Sequence, residues 1–285
     1  MVTGAVPAAW AEDRQNDSGD AKADPQRSTV VLVRDREAVE ADGKTNGEVL
    51  SRMLDEGVTA LTGKDDAKAA WASLFEPTDT VGIKTNVWRF LRTPPELEEA
   101  IQARLQAVGI DGDRIAADDR GILKNPVFQN ATALVNVRPL RTHHWAGVGS
   151  LIKNYIMFDP EPPKYHPDGC ASLATCWDLP IVKGKTRLNV LVMLTPQFHH
   201  LGRHHFDWQY TWQYKGLLVG TDPVAVDSVG LRIMQAKRRL HFGEDRPMTP
   251  PAHHIALADT KYGLGTADPN KIELVKLGWE KDVLI

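Results

Sequence analysis

The chain has 285 residues, 42% apolar and 25% charged, with 34 Lys and Arg against 37 Asp and Glu for a formal net charge of -3. That is the composition of a globular protein of one large domain or two small ones, long enough to bury a full core without disulfide or metal staples. It excludes a disulfide-framework miniprotein, a collagen-like chain, a wholly disordered chain and a strongly basic nucleic-acid binder, and no run approaches the roughly 18 apolar residues of a membrane span.

Residues 1–28 read as an arm. The stretch 12–24 is polar and charged and lacks large apolar groups, so it has nothing to offset its ordering entropy. Ala9-Trp10-Ala11 matches the small-x-small pattern of a signal-peptidase site, though a positive segment and a long apolar run are missing before it. The pattern tilts localisation toward export, periplasmic rather than cytoplasmic; the alternative is a plain unstructured start.

Residues 29–285 read as one α/β domain. A β-branched strand at 29–33 precedes an amphipathic helix at 46–61 with Val49, Leu50, Met53, Leu54, Val58 and Leu61 on one face. A buried strand at 80–83 ends at Lys84. Thr93, Pro94 and Glu96 then spell a capping box opening a helix to about residue 108. Strands follow at 114–117 and 131–135, and a helix at 147–157. The nearly all-apolar segment 188–194 reads as a central strand. A strand at 216–219, helices at 223–235 and 250–262, and a last strand at 272–277 complete the pattern. Strands alternating with helices predict a mostly parallel sheet flanked by helices, in Rossmann-like layers but with no GxGxxG fingerprint, Walker sequence or GxSxG elbow.

In such sheets, sites form at the carboxyl ends of strands. That rule gathers Lys84, Asn86, Asp118, Asp119, Asn136, Arg141, His143 and His144. Seven of the 10 histidines fall between residues 143 and 205. Imidazole is a common ligand of Fe, Zn, Ni or Cu, and His200 and His204 are four residues apart in HHLGRHH, although Gly202 favours a loop there. Without a metal, the same histidines serve acid–base or anion-binding roles, or line a wet loop. Cys170 and Cys176 are either a pair, in an exported protein, or two ordinary thiols. Phe206, Trp208, Tyr210, Trp212 and Tyr214 alternate with polar residues, as on an edge strand with one aromatic face. That face suits a flat ligand, a core edge or an oligomer contact. Asp227 sits inside the apolar run VAVDSVG, where a carboxylate needs a partner or a metal.

Taken in order, VGIKTN at 81–86, TPPE at 93–96, LVNV at 134–137, RTHHWAGVGSLIKN at 141–154, His166, GLLVGTDPVAVDSVG at 216–230, GLG at 263–265 and the closing IELVKLG resemble the family known as domain of unknown function 362, over residues 30–278. The resemblance implies an α/β protein, exported in some members and fused in others to ferredoxin-like iron–sulfur modules. With two cysteines, this sequence carries no such module. Arg141 stands where the family usually has Lys, Thr195 stands where its strands often close with Asp, and QFHHLGRHHFDWQYTWQY is an insertion. The family label implies no reaction.

The resulting expectation is a metal-dependent enzyme acting on a small anionic or aromatic substrate. His143, His166, His200 and His204 are its candidate ligands to Fe, Zn, Ni or Cu. Asp227 and Lys153 are the candidate catalytic residues, Asp227 also serving as a ligand or as an orienter of one. Lys84, Arg141 and Lys153 would bind an anionic group, and Trp208 and Trp212 would wall the pocket. The alternatives are a non-enzymatic binder of a metal or metal-bearing cofactor, and an assembly protein with the aromatic strip as its oligomer contact. Nucleic acid is not an expected partner.

Overall fold

A computed structural model describes residues 27–202 and 206–285. The expected arm and its Ala9-Trp10-Ala11 pattern, and His204 with His205, lie outside the described residues, apart from the arm's last two positions. In chain order the elements are β1 (Ser28–Arg34), α1 (Gly47–Thr62), α2 (Ala67–Leu74), β2 (Val81–Lys84), α3 (Pro95–Ala107), β3 (Ile115–Asp118), α4 (Pro126–Gln129), β4 (Ala133–His143), β5 (Gly147–Gly149), α5 (Leu151–Asn154), α6 (Pro167–Cys170), β6 (Thr186–Gln197), β7 (Gly216–Gly220), α7 (Pro223–Phe242), α8 (His253–Thr260) and β8 (Ile272–Gly278).

The strands form one mixed sheet in the order β3-β2-β4-β6-β7-β1-β8, with β5 paired to β4. The β2/β3, β2/β4, β4/β6 and β1/β8 pairs are parallel, and β6/β7, β1/β7 and β4/β5 are antiparallel. The expected α/β fold with a mostly parallel, helix-flanked sheet is therefore present. Period-two alternation sorts the strand side chains into two cores. Val31 and Val33 of β1 and Leu188, Val190, Val192 and Leu194 of β6 pack under α1, α2 and α3. Val30 and Leu32 of β1 and Leu191 and Met193 of β6 pack under α5, α7 and α8. A sheet covered on both faces reads as continuous apolar runs, which is why β6 was conspicuous in the sequence. Each fully buried Leu, Ile or Val contributes about 1.5–3 kcal/mol relative to exposure.

Asn46 caps α1 by accepting the Val49 N–H at 3.2 Å, and Gly63 ends the helix in the left-handed region at φ 63. Three local expectations differ from the structure. At α3 the capping box does not form: the helix starts at Pro95, and Thr93 Oγ1 instead accepts the Asn86 N–H at 3.0 Å. With the Thr93 N–H donating to Asn86 O at 2.8 Å, that pair closes the loop 86–93 on itself. The segment 147–157 is a three-residue strand, a short helix and a 3-10 turn. Gly147, at φ 72, lies so close to the Pro250–Ala252 backbone that a Cβ would sit 2.5 Å from Pro250 O. The helix can begin only at Leu151, where Asp227 receives its first amides. Lastly, the alternating aromatics form no edge strand. Asp207 accepts the Gln209 N–H at 3.0 Å and starts a 3-10 turn, and only Thr211 bridges to β6. The aromatic face is thereby divided: Tyr214 is buried, Trp212 half-buried against Phe198, and Trp208 68% exposed.

Among the described residues no helix is long and apolar enough to cross a membrane.

Candidate active site

At the carboxyl ends of β2 and β3, beside β4, lies a cavity of about 280 Å³. Its floor is a continuous polar network. Parallel pairing sets Lys84 beside Asp118, so the next residue, Asp119, reaches the Lys84 ammonium. Lys84 Nζ is completely buried, ion-paired with Asp119, and donates to Thr85 O at 2.7 Å and Asn154 Oδ1 at 3.4 Å. Asn154 Nδ2 donates to Lys84 O at 3.1 Å and Asn136 Oδ1 at 2.9 Å. Asn136 Nδ2 in turn donates to Asn189 Oδ1 at 3.2 Å and Leu151 O at 3.1 Å. Asp119 Oδ2 accepts the Val87 N–H at 3.0 Å and so holds the start of the loop that carries Trp88. Burial draws Lys84 down to about 8, with Asp119 opposing it. Burial raises Asp119, but the Lys84 ammonium outweighs that and keeps the carboxyl below its usual range.

Cations form one wall. Arg138 and Arg141 both line the cavity although they are three positions apart on one strand, which alternation alone would put on opposite faces. The register of β4 against β6 shifts between Pro139 and Arg141, and that bulge re-aims the strand so both guanidiniums reach the same space. Arg138 is 4% exposed, its Nε has no hydrogen-bond partner, and among the described residues no ion pair holds its guanidinium. Burial lowers it to about 10, against the attraction of Asp119 and Asp227. Gly149 gives it room, since a Cβ there would sit 2.8 Å from Arg138 Nη2. Arg141 lies over the Trp88 ring at 3.9 Å and donates to Thr142 O at 3.1 Å, and its Nε is also unpartnered. Lys153, 4% exposed on α5, has one polar contact among the described residues, the Cys170 thiol at 3.7 Å. Burial lowers Lys153 to about 8; Cys170 opposes the shift, and Arg138 and Arg141 add to it. Exposed Arg120 stands at the rim. Asp119 is the one carboxylate lining this space.

Trp88, Trp145, Ile156, Met157 and Pro162 supply the apolar side, with His143 and His166 between. Trp145 packs on His166 with ring centroids 3.8 Å apart. His143 Nδ1 accepts the Trp145 N–H at 3.2 Å, so the neutral ring carries its proton on Nε2. Burial, reinforced by Lys153 and Arg141, keeps His143 neutral, and burial with Lys153 lowers His166 to about 4. Both imidazoles are uncharged at neutral pH. After His166 the chain turns through Asp168 at φ 52, Gly169 at φ 64 and Cys170 at φ 68, a left-handed run that costs two non-glycine residues strain. It seats Cys170 against Lys153.

Of the sequence candidates, Arg141, His143, Lys153 and His166 line this cavity and Lys84 lies beneath it. His200 lines a separate cavity of about 270 Å³ with His199, Thr142 and Arg238. Among the described residues no three His, Cys, Asp or Glu side chains converge as a metal site would require. A metal-bound histidine normally donates its second N–H, whereas His143 Nδ1 receives one, so that ring is set as a donor rather than a ligand. Asp227 is fully buried and accepts from Ser150 Oγ at 2.6 Å and from the Leu151 and Ile152 amides, both at 2.9 Å. Burial raises it to about 6 against those three bonds. It supports α5, and therefore Lys153, from behind. Trp208 and Trp212 are not part of the wall; Trp88 and Trp145 are. Phe206 and Phe90 stack at 5.1 Å beside Trp88, and Trp208 meets Phe206 edge-on at 4.7 Å. Asp118 accepts the Gly121 N–H at 2.9 Å, a turn role. Cys170 and Cys176 are both free and buried.

Sequence reasoning did not single out Arg138, Trp88 or Trp145. The signal for Arg138 was present: a cation within LVNVRPL is as anomalous as Asp227 within VAVDSVG. The strand expected at 131–135 stops short of Arg138, whereas β4 continues to His143. Comparison with protein-family models, curated proteins and solved structures gives no match to this chain, so the resemblance to domain of unknown function 362 rests on the quoted motifs alone.

Proposed function

We propose that the cavity binds the anionic group of a small molecule and that the protein is an enzyme acting on that molecule. The observation that carries this reading is Arg138, a guanidinium buried in a wall of cations without a hydrogen-bonded or ionic partner among the described residues. An unpaired buried charge is costly, and a carboxylate or phosphate that forks onto the guanidinium removes the cost. Arg141 and Lys153 add charge from the same wall. The volume is at the low end for ligand pockets, which favours a small ligand over a dinucleotide. The two tryptophans and Met157 favour an apolar portion next to the anion. Perturbed lysines and neutral histidines together in a cleft favour catalysis over simple binding. Of the four candidate metal ligands, His204 lies outside the described residues, so metal content belongs among the tests.

Thermal unfolding in inorganic phosphate, pyruvate and phenylpyruvate, with sodium chloride at matched ionic strength, tests the reading. At least one anion raises the Tm saturably, by the equivalent of about 2.7 kcal/mol at a hundred times its Kd. Arg138→Met abolishes the effect. If no anion stabilises beyond chloride, the reading fails. If stabilisation appears only with stoichiometric metal, found by elemental analysis, the metal reading replaces it.

A further inference from the structure

We infer that Lys153 is a nucleophilic amine that forms an imine with the carbonyl group of an oxo acid held by Arg138 and Arg141. This rests on the anion-binding reading and adds a reaction to it. The two buried lysines of the site differ in the way that matters. Lys84 is committed to Asp119, Thr85 O and Asn154. Lys153 has no carboxylate partner; its one polar contact is a thiol at 3.7 Å. It lines the same small cavity as both guanidiniums, so a single compact molecule spans anion site and amine.

An amine is nucleophilic only as the free base. Desolvation and neighbouring cations raise that fraction, the arrangement by which lysines become imine-forming. Burial and the two guanidiniums act on Lys153 in that direction. Asp227 fixes the start of α5, where Lys153 occupies the third position. His143 supplies a neutral N–H donor on the cavity wall.

In the step itself the Nζ lone pair attacks the carbonyl carbon and the C=O π pair moves to oxygen, giving a carbinolamine after proton transfer from nitrogen to oxygen. Loss of hydroxide with the second amine proton yields C=N and one water. Nothing is oxidised or reduced. Protonated at nitrogen, the imine becomes an iminium that draws electrons from the neighbouring carbon, which suits cleavage of a C–H or C–C bond next to the former carbonyl.

Borohydride trapping tests this on the full chain. The protein is incubated with pyruvate or phenylpyruvate and sodium cyanoborohydride, then digested and mapped by mass spectrometry. The expected result is a reduced adduct on Lys153, at least tenfold more abundant than on any other lysine, suppressed by saturating phosphate and reduced at least tenfold in Arg138→Met. Lys153→Arg, which keeps the charge, carries no adduct on any residue of the cavity. Anion stabilisation without selective labelling of Lys153 overturns the imine and leaves the anion site standing. Selective labelling that persists in Arg138→Met and in phosphate supports the amine but removes Arg138 from substrate binding. Neither stabilisation nor labelling overturns both.

Discussion

Two buried cationic regions meet at this cavity, and they are built differently. On the floor, Lys84 is matched by Asp119, a carbonyl and an asparagine, and the chain Lys84–Asn154–Asn136–Asn189 ties β2, α5, β4 and β6 together. On the wall, Arg138 and Lys153 are also buried, yet among the described residues Arg138 has no hydrogen-bonded or ionic partner and Lys153 has only a thiol. A satisfied buried network rigidifies and specifies the fold, whereas an unsatisfied one is a cost the folded protein carries until a ligand arrives. The proposed division follows from this contrast: a structural floor and a ligand-binding wall, both lysine- or arginine-based and within one cleft.

The sharpest way to break that division is to remove Lys84. Lys84→Met leaves Asp119 buried without its cation, and destabilisation of about 3–5 kcal/mol in urea unfolding is expected. A near-neutral result would mean that the floor is not structural. The pH dependence comes next. Burial lowers Lys153 from the ordinary lysine value of 10.5 to about 8, so the folded state binds fewer protons between those values. The penalty of its charge is complete below about 8 and is relieved as pH rises toward 10.5. Relative to Lys153→Met, the wild type gains on the order of 3 kcal/mol across that window; a flat difference would contradict the burial of a lone ammonium. Asp227→Asn sets an amide donor against one of the two backbone amides that bond separate carboxylate oxygens, and costs about 1–3 kcal/mol. It also weakens anion binding through the displaced α5, which a binding titration of the folded variant reads separately. Trp208→Ala, at an exposed ring away from the cavity, changes stability by less than about 0.5 kcal/mol and leaves anion stabilisation intact. A large loss of that stabilisation would extend the site to the aromatic patch.

Much of this was legible in sequence. Hydrophobic periodicity located α1, β6 and the two-faced sheet, and the strand-end rule gathered Lys84, Asp119, Arg141 and His143 before any coordinates. Other features depended on contacts far apart in the chain. The Thr93 hydroxyl was diverted from its helix to the Asn86 amide, which shapes the loop bearing Trp88. Asp227, about 75 residues downstream of α5, decides where that helix starts. The bulge after Pro139 brings Arg138 and Arg141 onto one wall, a change of parity that alternation alone does not reveal. Counting histidines pointed to the right region, but His200 lines a different cavity from His143 and His166. The imbalance of buried charge around Arg138 emerges only when the partners of each cation can be enumerated.

The most direct test of the central claim is urea unfolding of wild type and Arg138→Met, each with and without the anion that stabilises the wild type most. Without anion the variant is the more stable protein, by about 1–3 kcal/mol, because an unpaired buried charge has been removed; with saturating anion the order reverses. A variant less stable than the wild type without anion would show that Arg138 holds the fold, and would contradict the assignment of this wall to ligand binding.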